Sequence, residues 1–329
     1  MKREVWVDYI KILACVLVVL GHFFQSMMKA SIMPDDGPCS WFNTTIYYFH
    51  VPLFFICSGY LYQRYSRVID GQSWIRNVGK KAVVLGIPYF VFSTATWLLK
   101  TVFSGSMNSE IGGIAETLFL QPTSPYWYLY ILFFIFLITP TVKNVRGGLI
   151  LTAVALVIKA LRIGAGDDNT AVWQIYTIQG VCANEIWFVL GMILAVVGAE
   201  KIKRRIVGVV LGIVFIIISL WSYKNENGWI GFGMGLLACA AVFMMIAECK
   251  ENRTLNRFVK YTMPIFLMHT LFAAPTRVAL LKIGINSPAI HVLVGILISF
   301  IGPIVTMWVL EKIKLDWLVY PGKLLKRRT

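Results

Sequence analysis

The sequence predicts an all-α polytopic membrane protein with about ten transmembrane helices and both termini in the cytoplasm. Three observations predict it. Of 329 residues, 58% are hydrophobic and only 14% charged, with a mean hydropathy of +0.71, far too apolar for an ordinary soluble domain. Apolar stretches long enough to cross a hydrocarbon core about 30 Å thick occur ten times, at 7–29, 43–63, 82–103, 124–142, 148–163, 179–199, 206–223, 229–248, 261–281 and 289–313. With the N-terminus inside, 24 of the 31 Lys and Arg residues fall on the cytoplasmic side, as the positive-inside rule requires.

The first span follows Met-Lys-Arg, with Lys2 and Arg3 inside, and is interrupted by Asp8, Lys11 and His22. No small-residue cleavage pattern follows, so it reads as a retained helix and not a secretory signal. The second runs inward from near Asn43 through Tyr47-Tyr48-Phe49-His50-Val51-Pro52. Pro52 is expected to free the carbonyl of Tyr48 and kink this helix beside His50. An inner loop, 64–81, holds Arg64, Arg67, Arg76, Lys80 and Lys81 and leads to the third span, which contains Pro88-Tyr89. The fourth opens at Pro125-Tyr126-Trp127 and ends before Lys143 and Arg146; the fifth is short. The sixth carries Asn184-Glu185 and ends before Lys201, Lys203, Arg204 and Arg205. Lys250, Arg253, Arg257 and Lys260 separate the eighth from the ninth, which contains Met263-Pro264-Ile-Phe-Leu-Met-His269. The long tenth ends near Lys312 and Lys314.

The organisation expected is one transmembrane domain over 1–315 and a basic cytoplasmic tail over 316–329 with Lys323, Lys326, Arg327 and Arg328. Acidic residues Asp35, Asp36, Glu110, Asp167 and Asp168 fall in outer loops. Trp74, Tyr126, Trp127, Trp173, Trp221, Trp229 and Trp317 stand near span ends, as an interfacial aromatic belt requires. The net charge of +15 is explained by topology and anionic headgroups, so no nucleic acid is needed as a partner. Six scattered cysteines show no metal or redox spacing, and no metal cofactor is expected. No internal repeat of the kind that marks secondary transporters is visible.

Ionisable side chains at bilayer depth are costly and mark functional sites by default. Lys11 and His22 are eleven residues apart, which on a helix is three turns plus about 20°, so they share a face about 16 Å apart along the axis. Cys15, Val18 and Gln25 lie near the same stripe, and Asp8 is placed to pair with Lys11. At 1.5 Å per residue, His22 stands about 22 Å above the inner surface and His50 about 10 Å below the outer one, so the two imidazoles reach one layer. Glu185 has a similar depth and could orient an imidazole. His269, about 12 Å from the inner side, could line the same cavity from below, and His291 is expected at the outer interface. Arg76 and Lys80 share a helix face and with Lys81 could hold nucleotide phosphates, although topology alone also demands positive charge there.

These residues resemble a known family. The Lys11-to-His22 spacing, the run Phe49-His50-Val-Pro52-Leu-Phe-Phe-Ile-Cys-Ser58-Gly59-Tyr60, the basic run before Pro88-Tyr89, Pro125-Tyr-Trp127-Tyr-Leu and Met263-Pro264-Ile-Phe-Leu-Met-His269 look like the acyltransferase-three family, over almost the whole chain. The histidine before Val-Pro-Leu-Phe-Phe brings it nearest the fucose O-acetylase-like subgroup. The resemblance implies acetyl transfer from cytoplasmic acetyl-CoA to a hydroxyl of a lipid-linked or cell-surface carbohydrate, in the cytoplasmic membrane of a bacterium. It implies His22 as catalytic base; His50 and Glu185 are placed beside it by depth alone. Lys11 becomes the partner cation, and Arg76 and Lys80 stand where the family has its cytoplasmic basic cluster; Lys81 and His269 are placed on the donor side by their position alone. The basic spacing departs from a close double-arginine pattern. Two other readings remain open: a proton-coupled transporter or flippase with a histidine relay, and a non-catalytic membrane sensor or assembly partner. The acceptor and the oligomeric state are not readable from the residues.

Overall fold

The computed structural model describes residues 4–66, 68–103, 112–166, 170–225 and 227–326. Lys2, Arg3, Arg67, Glu110, Asp167, Asp168, Arg327 and Arg328, all used in the charge sorting, lie outside the described residues. The described chain is helical: α1 Val5–Lys29, α2 Gly37–Tyr47, α3 His50–Tyr65, α4 Gly71–Val102, α5 Trp127–Ile138, α6 Val145–Ala165, α7 Ala171–Gln174, α8 Tyr176–Val197, α9 Arg205–Ser222, α10 Gly228–Ile246, α11 Arg253–Val259, α12 Thr262–Lys282, α13 Pro288–Lys312 and α14 Gly322–Lys326. Among the described residues, eight of these helices (α1, α4, α6, α8, α9, α10, α12 and α13) are long and apolar enough to cross a membrane.

Those eight correspond to eight of the ten expected spans; the other two differ. The stretch 43–63 is not one helix, because α2 ends at Tyr47 and α3 begins at His50. Pro52 therefore stands in the first turn of α3, where no N–H is required, and caps nothing and kinks nothing. The apolar stretch at 124–142 forms only the twelve residues of α5. The expected inner loop is helical from Gly71 onward. Asp70 starts α4 by accepting the Ser73 N–H at 2.7 Å, while Ser73 Oγ accepts the Asp70 N–H at 3.1 Å. These bonds hold the Asp70 carboxyl below the usual carboxylate range.

The chain folds as two compact units. One contains the chain to Ala14, Thr44–Val78 and Phe134–Val259; the other contains Cys15–Asn43, Gly79–Phe133 and the chain from Lys260. In the first unit α3 and α8 touch backbone to backbone. A Cβ on Gly59 would fall 1.9 Å from the Phe188 carbonyl oxygen, and one on Gly191 would fall 1.9 Å from that of Ile56. The non-helical segment after α5 is satisfied by side chains, as polar backbone away from water requires. Tyr62 donates to the Thr139 carbonyl at 2.8 Å, and Gln63 both donates to the Val142 carbonyl at 2.7 Å and accepts its N–H at 3.0 Å. Thr141 bonds the backbone of Val68 in the same two-way manner.

In the second unit α13 packs against α1 and α12, with Gly295 facing the ring of Phe23 and Gly302 facing that of Phe272. Cys15 Sγ lies 3.4 Å from the Thr262 carbonyl, joining α1 to the start of α12. Tyr320 donates to the Lys260 carbonyl just before that start, and Lys323 pairs with Asp316. His291, expected at the interface, is buried; its Nε2 lies 2.8 Å from the Ile285 carbonyl and closes the turn that leads into α13. Tyr126, expected in the aromatic belt, is fully buried, whereas Trp221 and Trp229 are exposed as a belt requires.

Gly191→Ala is expected to force α3 and α8 apart and to destabilise the protein by roughly 1–3 kcal/mol. A lowered melting temperature in detergent checks this; an unchanged one would mean the two backbones need not approach so closely.

Candidate functional site

His22 sits on the last two turns of α1, a helix unbroken from Val5 to Lys29, so the Lys11 spacing is realised as helix. His22 and Gln25 form a half-buried flank that continues the stripe of α1 buried nearer its start at Ala14, Cys15 and Val18, next to the buried row Val19, Phe23, Met27. That flank borders a cavity of about 260 Å³ in the second unit, enclosed by the C-terminal parts of α1, α4 and α12 together with Ser124. Pro275 has no N–H to offer the Leu271 carbonyl, and both residues line this cavity. A helix interrupted at that point leaves room where continuous packing would fill it.

Three contacts set the chemistry. Ser124 Oγ lies 3.3 Å from His22 Nε2. The His269 ring of α12 stacks on that of His22 with centroids 5.4 Å apart and planes 29° from parallel. His269 is 1% exposed, and its Nδ1 lies 3.0 Å from both the Ile265 and Phe266 carbonyls. Carbonyls only accept, so Nδ1 carries the proton and Nε2 is left as a lone pair, buried and without a hydrogen-bond partner.

Ser124 owes its place to the residue two positions on. The Tyr126 hydroxyl donates to the Leu267 carbonyl of α12 at 2.8 Å and stands 2.9 Å from Thr96 Oγ1 of α4. One buried side chain thus ties the start of α5 to two helices. The segment before it is held similarly: Tyr89 donates to the Leu118 carbonyl at 2.7 Å and Tyr130 to the Phe119 carbonyl at 2.9 Å. Lys100 donates to Thr123 Oγ1 at 3.3 Å and also lines the cavity.

The other expected site residues are distributed as follows. The imidazole stacked on His22 is His269, which supports the ring from behind and does not itself line the cavity. His50 belongs to the first unit, 2% exposed, with Nδ1 2.7 Å from the Ile46 carbonyl and the edge of Tyr47 against its ring. Glu185 is in the same unit, 6% exposed, and accepts from Thr139 Oγ1 at 3.4 Å. Lys11 is half-buried near the other end of α1, and Arg76, Lys80 and Lys81 stand on the first three turns of α4, the first two exposed.

Ser124, Tyr126 and Arg277 are functional candidates that the residue pattern did not single out. Arg277 offered a signal of the same kind as His22, a charge inside an apolar run. Ser124 offered only its position before the Pro125-Tyr-Trp motif. Tyr126→Phe is expected to remove the hydroxyl donor to the Leu267 carbonyl and the partner of Thr96, and to destabilise by roughly 1 kcal/mol. Thermal unfolding should resolve this loss, and Thr96→Val should lose less because Tyr126 keeps its carbonyl acceptor.

The model of one protein family, described as an acyltransferase domain, matches residues 4–308. The chain is also similar to nodulation protein NolL of Sinorhizobium fredii, 31% identical over 164 residues, covering 49% of this chain and 43% of that protein. A second nodulation protein NolL, from Mesorhizobium japonicum, is 29% identical over 137 residues, covering 42% of this chain and 35% of its own length. The chain therefore matches less than half the length of these curated relatives. No solved structure matches.

Proposed function

Starting from a chain that belongs to the acyltransferase-three family, we propose that it transfers an acyl group, acetyl in the simplest case, from acyl-CoA to a hydroxyl of a cell-surface or lipid-linked carbohydrate. His22 is the general base. One observation carries this reading: a half-buried imidazole borders a cavity, with a hydroxyl, that of Ser124, already within 3.3 Å of Nε2. A base must be reachable by the proton it removes before its basicity matters.

The acceptor oxygen attacks the thioester carbonyl carbon as its proton passes to the His22 imidazole. The carbon–sulfur bond then breaks, and the CoA thiolate leaves and regains a proton from the imidazolium. Ser124 can donate to the developing oxyanion or hold Nε2 toward the acceptor. His269, its proton committed to two backbone carbonyls, gives His22 a flat and uncharged backing and keeps the ring plane fixed. His50 and Glu185, which depth alone suggested, belong to the first unit and are given no step; Lys11 keeps the role of partner cation that the family implies.

The donor's phosphates are assigned to Arg76, Lys80 and Lys81. Lys80 and Thr96 stand sixteen residues apart on α4, about 24 Å of helix, so the pantetheine arm must run along most of the bilayer's thickness to bring the thioester to the cavity. The acyl acceptor enters from the Lys100 end.

The test is incubation of membranes with labelled acetyl-CoA and a panel of glycans, comparing wild type with His22→Ala at equal protein level. Loss of a general base is expected to lower transfer by about 100-fold or more. Transfer retained by the variant would remove the proposed base. Substrate movement driven by a pH gradient, with no acyl-CoA consumed, would replace the reading with transport. Arg76→Gln combined with Lys80→Gln should raise the donor KM and leave the acceptor KM unchanged.

A further inference from the structure

Beyond His22, the cavity wall is cationic. Lys29 of α1, Lys100 of α4 and Arg277 of α12 all line it, and no Asp or Glu is among its described lining residues. The positive-inside pattern leaves only seven of the 31 basic residues on the side opposite the cytoplasm, and these three are among the seven. Lys29 and Lys100 fall in the last turns of their helices, where a cation complements the helix dipole whatever else it does. Arg277 does not have that explanation. It lies more than a turn before the end of α12 and is only 8% exposed. Its Nη1 donates to the Ser26 carbonyl at 2.7 Å and to Ser26 Oγ at 2.5 Å, while its Nε is buried with no partner among the described residues.

A buried guanidinium with an unused N–H is costly until an acceptor reaches it. A planar fork flanked by two ammonium groups suits an oxyanion best. Resting on the transfer reading above, we propose that this end of the cavity seats a carboxylate or phosphate carried by the acceptor, so that the substrate class is an acidic glycan. Ser26, which holds Arg277, follows His22 by four residues. The two therefore stand one turn apart on one face of α1, about 6 Å, a separation that a single sugar residue spans. The anion would fix the sugar while a hydroxyl across the ring meets the imidazole.

Binding can be read apart from chemistry in purified His22→Ala protein. Thermal stabilisation is measured with glucuronate, with inorganic phosphate and with glucose as the neutral control. The two anions are expected to stabilise and glucose is not, and whichever anion acts at the lower concentration distinguishes a uronic acid from a phosphate-linked sugar. Arg277→Gln should raise the half-maximal concentration roughly tenfold. Because Arg277 also bonds the backbone of α1, Lys100→Gln serves as a second variant, with the same direction expected. Stabilisation by glucose equal to that by the anions, or no change in either folded variant, would overturn the proposal. In the transfer assay, Lys100→Gln should raise the KM of an acidic acceptor and leave that of acetyl-CoA alone. A rise confined to acetyl-CoA would assign these cations to the donor's phosphates and overturn the proposal while transfer itself stood. Anion binding intact in wild-type protein that transfers no acyl group to any acceptor would remove the transfer reading alone.

Discussion

A polar atom at bilayer depth has only the protein to bond with, and the arrangement of both units follows from meeting that demand. The clearest instance is the Tyr126 hydroxyl, which reaches a helix carbonyl on one side and a threonine on the other. Without it the short helix α5 would have no fixed starting point, and Ser124 would have no reason to stand beside His22. Tyr62, Gln63 and Thr141 do the corresponding work in the first unit, substituting for helix bonds along the stretch that follows α5.

The site grows out of the exceptions to this economy. Among the described residues of the second unit, Nε2 of His269 and Nε of Arg277 are buried nitrogens without a partner, and one lies behind the imidazole while the other borders the cavity it faces. Elsewhere in the second unit packing is close enough that glycines are needed opposite Phe23 and Phe272. Against that background the void beside His22 is lined by Pro275, which offers no N–H to the Leu271 carbonyl, and by three basic side chains. An imidazole with one accessible edge and one rigid face is the outcome.

Much of this could be read from the residues, and what could not has identifiable causes. Eight long spans were legible because twenty apolar residues have few other uses. The break at Tyr48-Phe49 was not, since a hydropathy scan adds up apolarity without asking which N–H groups are paired. Pro52 was taken for a kink when its position suits the first turn of a new helix equally well. His22 stood out because histidine is rare in such a run. Its stacking partner was harder: rise per residue gives the height of a side chain but not its azimuth, so arithmetic on depth favoured His50, whereas the ring against His22 comes from α12. His291 was misplaced for a related reason, because a predicted boundary does not say that the turn will fold back to supply a carbonyl.

The latch at the far end of the chain bears on how the protein can be handled. Tyr320 bonds the carbonyl of Lys260, the residue two positions before α12, and the Asp316–Lys323 pair holds the segment that delivers it. The same helix presents His269 and Arg277. Trimming the C-terminus back past Tyr320 would therefore unfasten the root of the helix that backs the His22 ring, and a shortened version would carry its defect some fifty residues from the change.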